Sequence, residues 1–270
     1  MKKIGFIVDM LEIHQASDLR QWAEFAVENG IDGLEIMYDY RENPVFDAKM
    51  INEAIAGLPV EICACGLWWA NTQAEGAEGE KIARTMEEFL QMTHDVGCRM
   101  AFFNAGEFEA GNTFANVERL KVQYKHYYDL AKELGITVST YIGHGGNFIN
   151  RRNILSRVLE EIPEYNLKLD PVGIMRNLKD DPYEIIKLYG NRCVHFHVKD
   201  ITRYGCDGFE IEPPVGLGDL RWNMIFGLLY HHDYHGYIVI EPHGPKFGKT
   251  ENKKTHILLS KKHIEQFMVR

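Results

Sequence analysis

The sequence lacks a long apolar run: nothing in it approaches the roughly 20 consecutive apolar residues that cross a bilayer. It lacks a basic cluster as well. The pairs Lys253–Lys254 and Lys261–Lys262 are diluted by polar neighbours, and the formal net charge is −9. A nucleic-acid backbone, which requires a clustered positive field, is therefore not an expected partner; a small molecule is. Cysteine is sparse. Cys63, Cys65, Cys98, Cys193 and Cys206 have no framework-like spacing, and most lie in or beside apolar strand-like runs. Buried free thiols are expected rather than a disulfide set or a zinc cluster. Met1-Lys2-Lys3 looks like the start of a signal peptide, but Asp9 interrupts the apolar run and no small-residue cleavage site follows, so the expectation is a cytoplasmic protein with no membrane partner. Missing too is a glycine-rich phosphate loop after the first strand, where Asp9-Met10-Leu11-Glu12 stands instead; this disfavours a doubly wound open sheet.

What is present is a regular alternation. A length of 270 residues suits one large α/β unit, and short β-rich runs alternate with stretches of helical spacing from end to end. The pattern predicts strands at Ile4–Val8, Gly33–Tyr38, Val60–Leu67, Met100–Asn104, Thr137–Ile142, Leu167–Leu169, Val194–Val198 and Tyr237–Ile240. A helix follows each one. The first has Leu19, Trp22, Ala23, Ala26 and Val27 in one stripe, with Ser17 as its cap and Gly30 as its stop. The others are expected at Asp47–Ile55, from Gly79 to Val96, along Val117–Leu134, through Ile154–Ile162, after Asp181-Pro182, from near Asp219, and around Thr255–Met268. Eight strand–helix pairs in parallel predict a single (β/α)8 TIM barrel over residues 1–270. The Gly- and Pro-rich stretch Ile201–Gly218 is expected to be a binding loop.

Barrel enzymes carry their chemistry where strands end at the C-terminal face. Asp170 ends the sixth strand, His195 and His197 lie on the seventh ahead of Lys199-Asp200, and Glu241 ends the eighth, followed by His243. Alternation puts His195, His197 and Lys199 on one face of their strand and Val239, Glu241 and His243 on one face of theirs. A carboxylate closing a Val/Ile-rich strand has to be solvated or neutralised. Carboxylates and an imidazole on adjacent strands suit an open metal site with oxygen and nitrogen ligands.

His195-Phe196-His197-Val198-Lys199-Asp200, together with Gly216-Leu217-Gly218-Asp219 and Gly236-Tyr237-Ile238-Val239-Ile240-Glu241, resembles the xylose-isomerase-like barrel superfamily, in particular its sugar phosphate isomerase/epimerase group. The resemblance implies a divalent metal held by Glu, Asp, His and Glu from strands five to eight, and Asp170, His197 and Glu241 match three of these. The first Glu is not there: the Glu-Asn-His-Gly-Gly run of the family is Ile142-Gly143-His144-Gly145-Gly146 here. His144 is a substitute ligand or proton carrier on that comparison, and the ion is Mn, Mg, Co or Zn. Gly173 stands where many members have a substrate-binding His, whereas Arg203 matches a substrate-binding Arg. Lys199, His195, Trp68 and Trp69 complete the expected substrate site, the tryptophans as a wall for a sugar ring.

The function so implied is a metal-dependent sugar or polyol isomerase or epimerase working through an enediolate, with Glu241 and His144 as proton carriers. The alternatives are a dehydratase of the same superfamily, a carbohydrate-binding barrel that has lost its chemistry at Ile142, and, least favoured, a DNA-repair endonuclease. A homo-oligomer is compatible with the sequence.

Overall fold

The computed structural model describes residues 3–142, 146–204, 209–248 and 250–269. Eight parallel strands close into a barrel: β1 (Ile4–Asp9), β2 (Gly33–Asp39), β3 (Glu61–Trp68), β4 (Met100–Asn104), β5 (Thr137–Tyr141), β6 (Leu167–Leu169), β7 (Cys193–Val198) and β10 (Ile238–Ile240). In chain order each strand pairs with the next, and β10 closes the ring between β7 and β1. This is the (β/α)8 barrel that the alternation predicts.

The outer layer is formed by α1 (Ala16–Glu28), α2 (Ala48–Ile55), α3 (Gly76–Asp95), α4 (Thr113–Glu133), α5 (Arg152–Glu161), the short turn α6 (Pro171–Gly173), α7 (Pro182–Tyr189), α8 (Trp222–His231), the short α9 (Gly244–Phe247) and α10 (Thr250–Ile264). Their apolar stripes face the strands. Leu19, Ala23 and Ala26 of α1 and Ile82, Met86 and Phe89 of α3 are buried in the main core. Asp47 caps α2 by accepting Met50 N–H at 2.9 Å, and Asp181 caps α7 ahead of Pro182. Cys63, Cys65, Cys98 and Cys193 are buried free thiols; Cys206 lies outside the described residues.

Several boundaries depart from the sequence-based expectation, each for a local reason. Ser17 is inside α1, and the cap is Gln15, because Asp18 reaches back to accept the N–H groups of His14 and Gln15. The helix after the seventh strand starts at Trp222, since Asp219 is used to accept Arg203 N–H at 3.0 Å. The stretch Ile201–Gly218 is not all loop. It holds the antiparallel hairpin β8 (Thr202–Tyr204) and β9 (Phe209–Ile211), with Thr202 opposite Ile211.

The barrel interior is mixed. A small apolar group, Met37, Ala64, Phe102 and Tyr141, fills part of it, and Gly66 is needed there because a Cβ would sit 2.3 Å from Met37 Sδ and 2.4 Å from Phe102 Cζ. The rest is polar.

Candidate active site

Because side chains alternate along a strand, β7 sends His195, His197 and, one step past its end, Lys199 into the barrel. Its neighbour β6 contributes Lys168 and then Asp170, β10 leads to Glu241, and β2 supplies Glu35 from further round the ring. These seven groups are at most 4% exposed and join into one chain of contacts. His195 Nε2 and His197 Nε2 lie 2.6 and 2.9 Å from Glu35 Oε2. His197 Nδ1 lies 3.0 Å from Glu241 Oε2. Lys199 Nζ sits between Glu241 Oε2 at 3.1 Å and Asp170 Oδ2 at 2.9 Å, with Lys168 Nζ 3.8 Å from the same Asp170 oxygen.

The charges follow from the partners. Burial alone would raise Glu35, yet the two imidazoles outweigh it and hold its carboxyl at about 2. For Asp170, burial is likewise outweighed by Lys199 and Lys168, which bring it to about 2, and Glu241 is driven well below the usual carboxylate range by Lys199 and the His197 hydrogen bond. Burial pushes His195 down to about 4 despite Glu35. His197 is moved up instead: burial opposes its charged form, but Glu35 at Nε2 and Glu241 at Nδ1 outweigh it. Lys199, pinned by two carboxylates, is moved up against the pull of burial.

At the C-terminal face a cavity of about 240 Å³ opens above this chain, and Glu241 is the member of the chain that lines it. Asp9, Glu12, Asp39, Trp68, His243 and Lys253 share the wall. Burial moves the Asp9 carboxyl up, against the Leu11 N–H that it accepts and the charge of Lys253. Of the carboxyls in the cavity wall, Glu241 and Asp39 are held below the usual range, whereas Asp9 is moved up.

The structure sorts the sequence-derived site residues as follows. Glu241 and Trp68 line the cavity, while Asp170, His197 and Lys199 lie directly beneath in contact with one another or with Glu241. His195 is deeper, stacked on Phe102 with ring centroids 5.0 Å apart. Trp69, with φ of 66°, is turned towards Arg41, whose guanidinium lies 4.3 Å from its ring. Arg203 is away from the cavity: it faces Glu210 across the hairpin at 3.4 Å and lines a separate surface cleft with Arg176 and Lys179. His144 lies outside the described residues. Ile142 is 3% exposed, part of the apolar core. Glu35, Lys168 and Asp9 were not singled out from sequence, although a charged residue inside an apolar strand, or at its end, was the available signal.

The family model of the xylose isomerase-like TIM barrel matches residues 23–263, and the chain belongs to that family. No curated protein matches it. Among solved structures it is similar to D-allulose 3-epimerase from Methylomonas sp. in complex with D-allulose, at 15% identity over 99% of this chain and 98% of that one, with a TM-score of 0.77. It is also similar to the IOLI protein with a bound zinc atom (14% identity, 99% and 100% covered, TM-score 0.77). A third is a probable 3-DHS dehydratase, AsbF, from Bacillus anthracis (15% identity, 97% and 99% covered, TM-score 0.70). At these identities the likeness establishes the fold.

Whether the residues suit a divalent ion is a matter of spacing and charge. Among the described residues, one His/Cys/Asp/Glu group has donor atoms that all lie within 4.8 Å of one another: Glu35, His195 and His197. Two imidazoles, a carboxylate and a Glu35 Oε1 without a hydrogen-bond partner form a chemically suitable donor set, closed in beneath the cavity floor. Asp170, His197 and Glu241 are spread more widely. An ion bonded at ~2.0–2.2 Å spans at most about 4.4 Å between opposite ligands, so as placed these three do not converge on one. Among the described residues the end of β5 offers Ile142 and no donor, and an ammonium already lies between the two carboxylates.

Proposed function

We propose that this chain is an isomerase or epimerase acting on a small uncharged sugar or polyol-derived ketone by proton transfer through an enediolate. The observation that carries this is the position of Glu241, which lines the cavity and at the same time is the end of the buried ionic chain.

A substrate carbon next to a carbonyl, brought against Glu241, gives its proton to the carboxylate. The electron pair moves onto the carbonyl oxygen. Lys199 and His197, fixed beside Glu241 before substrate arrives, offset the negative charge that develops, and being buried they need no reorganisation to do so. Asp9, the carboxyl in the same cavity with raised proton affinity, returns a proton to the other face or to the neighbouring carbon, as expected where two carboxyls are driven apart in proton affinity by their surroundings. Trp68 gives the ring an apolar wall, and Asp39 and Glu12 accept from hydroxyls. No step is routed through a metal ion.

The test is incubation of the purified chain with a panel of neutral ketoses and keto-polyols in deuterium oxide, followed by NMR. Deuterium at the carbon beside the carbonyl, with an epimer or positional isomer accumulating, is expected. Loss of water without such exchange into recovered substrate would place the chain with the dehydratases, and no change with any substrate would sink the proposal.

A further inference from the structure

We infer that the ammonium of Lys199 fills, in this chain, the place between Asp170 and Glu241 that a divalent cation would otherwise take. Three independent features converge on it. The first is position: Lys199 Nζ lies 2.9 Å from Asp170 Oδ2 and 3.1 Å from Glu241 Oε2, and these residues follow β6, β7 and β10, which are adjacent strands of the barrel. The second is spacing. Hydrogen bonds of ~3 Å prop two carboxylates further apart than metal bonds of ~2.1 Å, and Asp170, His197 and Glu241 are indeed spread beyond the 4.8 Å within which Glu35, His195 and His197 cluster. The third is charge. Two carboxylates there face the ammonium of Lys199 and, at 3.8 Å, that of Lys168, all at most 4% exposed. With Ile142 at the end of β5, no third carboxylate among the described residues joins Asp170 and Glu241 around Lys199 to draw in a dication, and adding one would leave an unmatched buried positive charge.

Ammonium and dication compete for the same oxygens, so removing one should admit the other. The metal-stripped full chain is titrated with Mn²⁺, followed by calorimetry and by the electron paramagnetic resonance of the free ion. Wild type is expected to show no saturable uptake that depends on Asp170. Lys199→Gln and Lys199→Ala are expected to gain a site, and Ile142→Glu combined with Lys199→Ala should bind about tenfold or more tightly than Ile142→Glu alone, roughly 1.4 kcal/mol. Uptake of one Mn²⁺ by wild type that Asp170→Asn abolishes overturns the inference, and this comparison stands even where the Lys199 variants do not fold. Equal affinity of Ile142→Glu with and without Lys199 overturns it too. Because the readout is ion binding, a failure here is distinct from absence of isomerase activity.

Discussion

At the scale of the residue, Glu241 and Asp9 are assigned different proton tasks, and the difference is measurable. Glu241→Gln removes the base and should abolish deuterium exchange into the substrate, a loss on the order of 10²–10⁴-fold. Asp9→Asn leaves the base in place. It is expected to keep exchange into recovered substrate while product formation falls, and equal loss of both signals would show that Asp9 has no separate role. Strand-end reasoning found Asp170, His197, Lys199 and Glu241 because a polar residue closing an apolar strand stands out. It passed over Glu35 and Lys168, which sit mid-strand with apolar neighbours on both sides, although the argument applied to Glu241, that a buried charge must be neutralised, holds for them equally. What sequence did not supply was the partner: Glu35 is neutralised by β7, from the far side of β1 and β10.

At the scale of the element, the segment after β7 is organised by one buried carboxylate. Asp200, fully buried, accepts from Ile201 N–H, Gly216 N–H, Leu220 N–H and the Trp222 indole N–H at 2.8–3.2 Å. Gly218 is required beside it, since a Cβ there would lie 2.3 Å from Asp200 Oδ1 and 2.6 Å from the Ile201 carbonyl oxygen. The Gly216-Leu217-Gly218-Asp219 run that stood out in the sequence is therefore a structural tie. Asp200→Ala strands several buried donors at about 1–3 kcal/mol each, so a loss of at least about 3 kcal/mol in urea unfolding is expected, with Asp200→Asn milder; an unchanged midpoint for Asp200→Ala would refute the tie. From the other side α10 holds the same segment, Ser260 Oγ accepting Val215 N–H at 2.9 Å. One turn earlier His256 is buried, which pushes it down to about 4. A histidine lowered in the folded state stabilises above its unfolded value near 6.5, and that stability is lost as pH falls towards 4, about 3 kcal/mol at most. Melting temperature should fall over this window in wild type and fall less in His256→Gln; parallel curves would show that His256 is not the group responsible.

At the scale of the whole molecule, the barrel was legible because both of its periodicities are strong: two-residue alternation in the strands and 3.6-residue stripes in the helices, repeated eight times. The hairpin β8–β9 was not, because its strands are three residues each and the surrounding Gly and Pro argue for loop. Its placement in space matters for selectivity, since it takes Arg203 to a separate cleft and leaves the Glu241 cavity acidic. Among the described residues lining that cavity are Asp9, Glu12, Asp39 and Glu241. Of the basic side chains in that wall, Lys253 is already engaged, its Nζ lying 2.7 Å from Glu12, and His243 pairs with Glu212. The molecule as a whole carries a formal charge of −9. Local and long-range fields therefore both oppose an anion, which makes a neutral sugar the expected substrate and its phosphate ester a poor one. Raising ionic strength screens repulsion over about 10 Å at 0.1 M salt, so kcat/KM for the ester should rise with salt while that for the neutral sugar stays flat. A phosphate ester turned over faster than its parent sugar at low salt would mean that the cavity accepts anions by groups other than those that line it here, and the assignment of a neutral substrate would have to be abandoned.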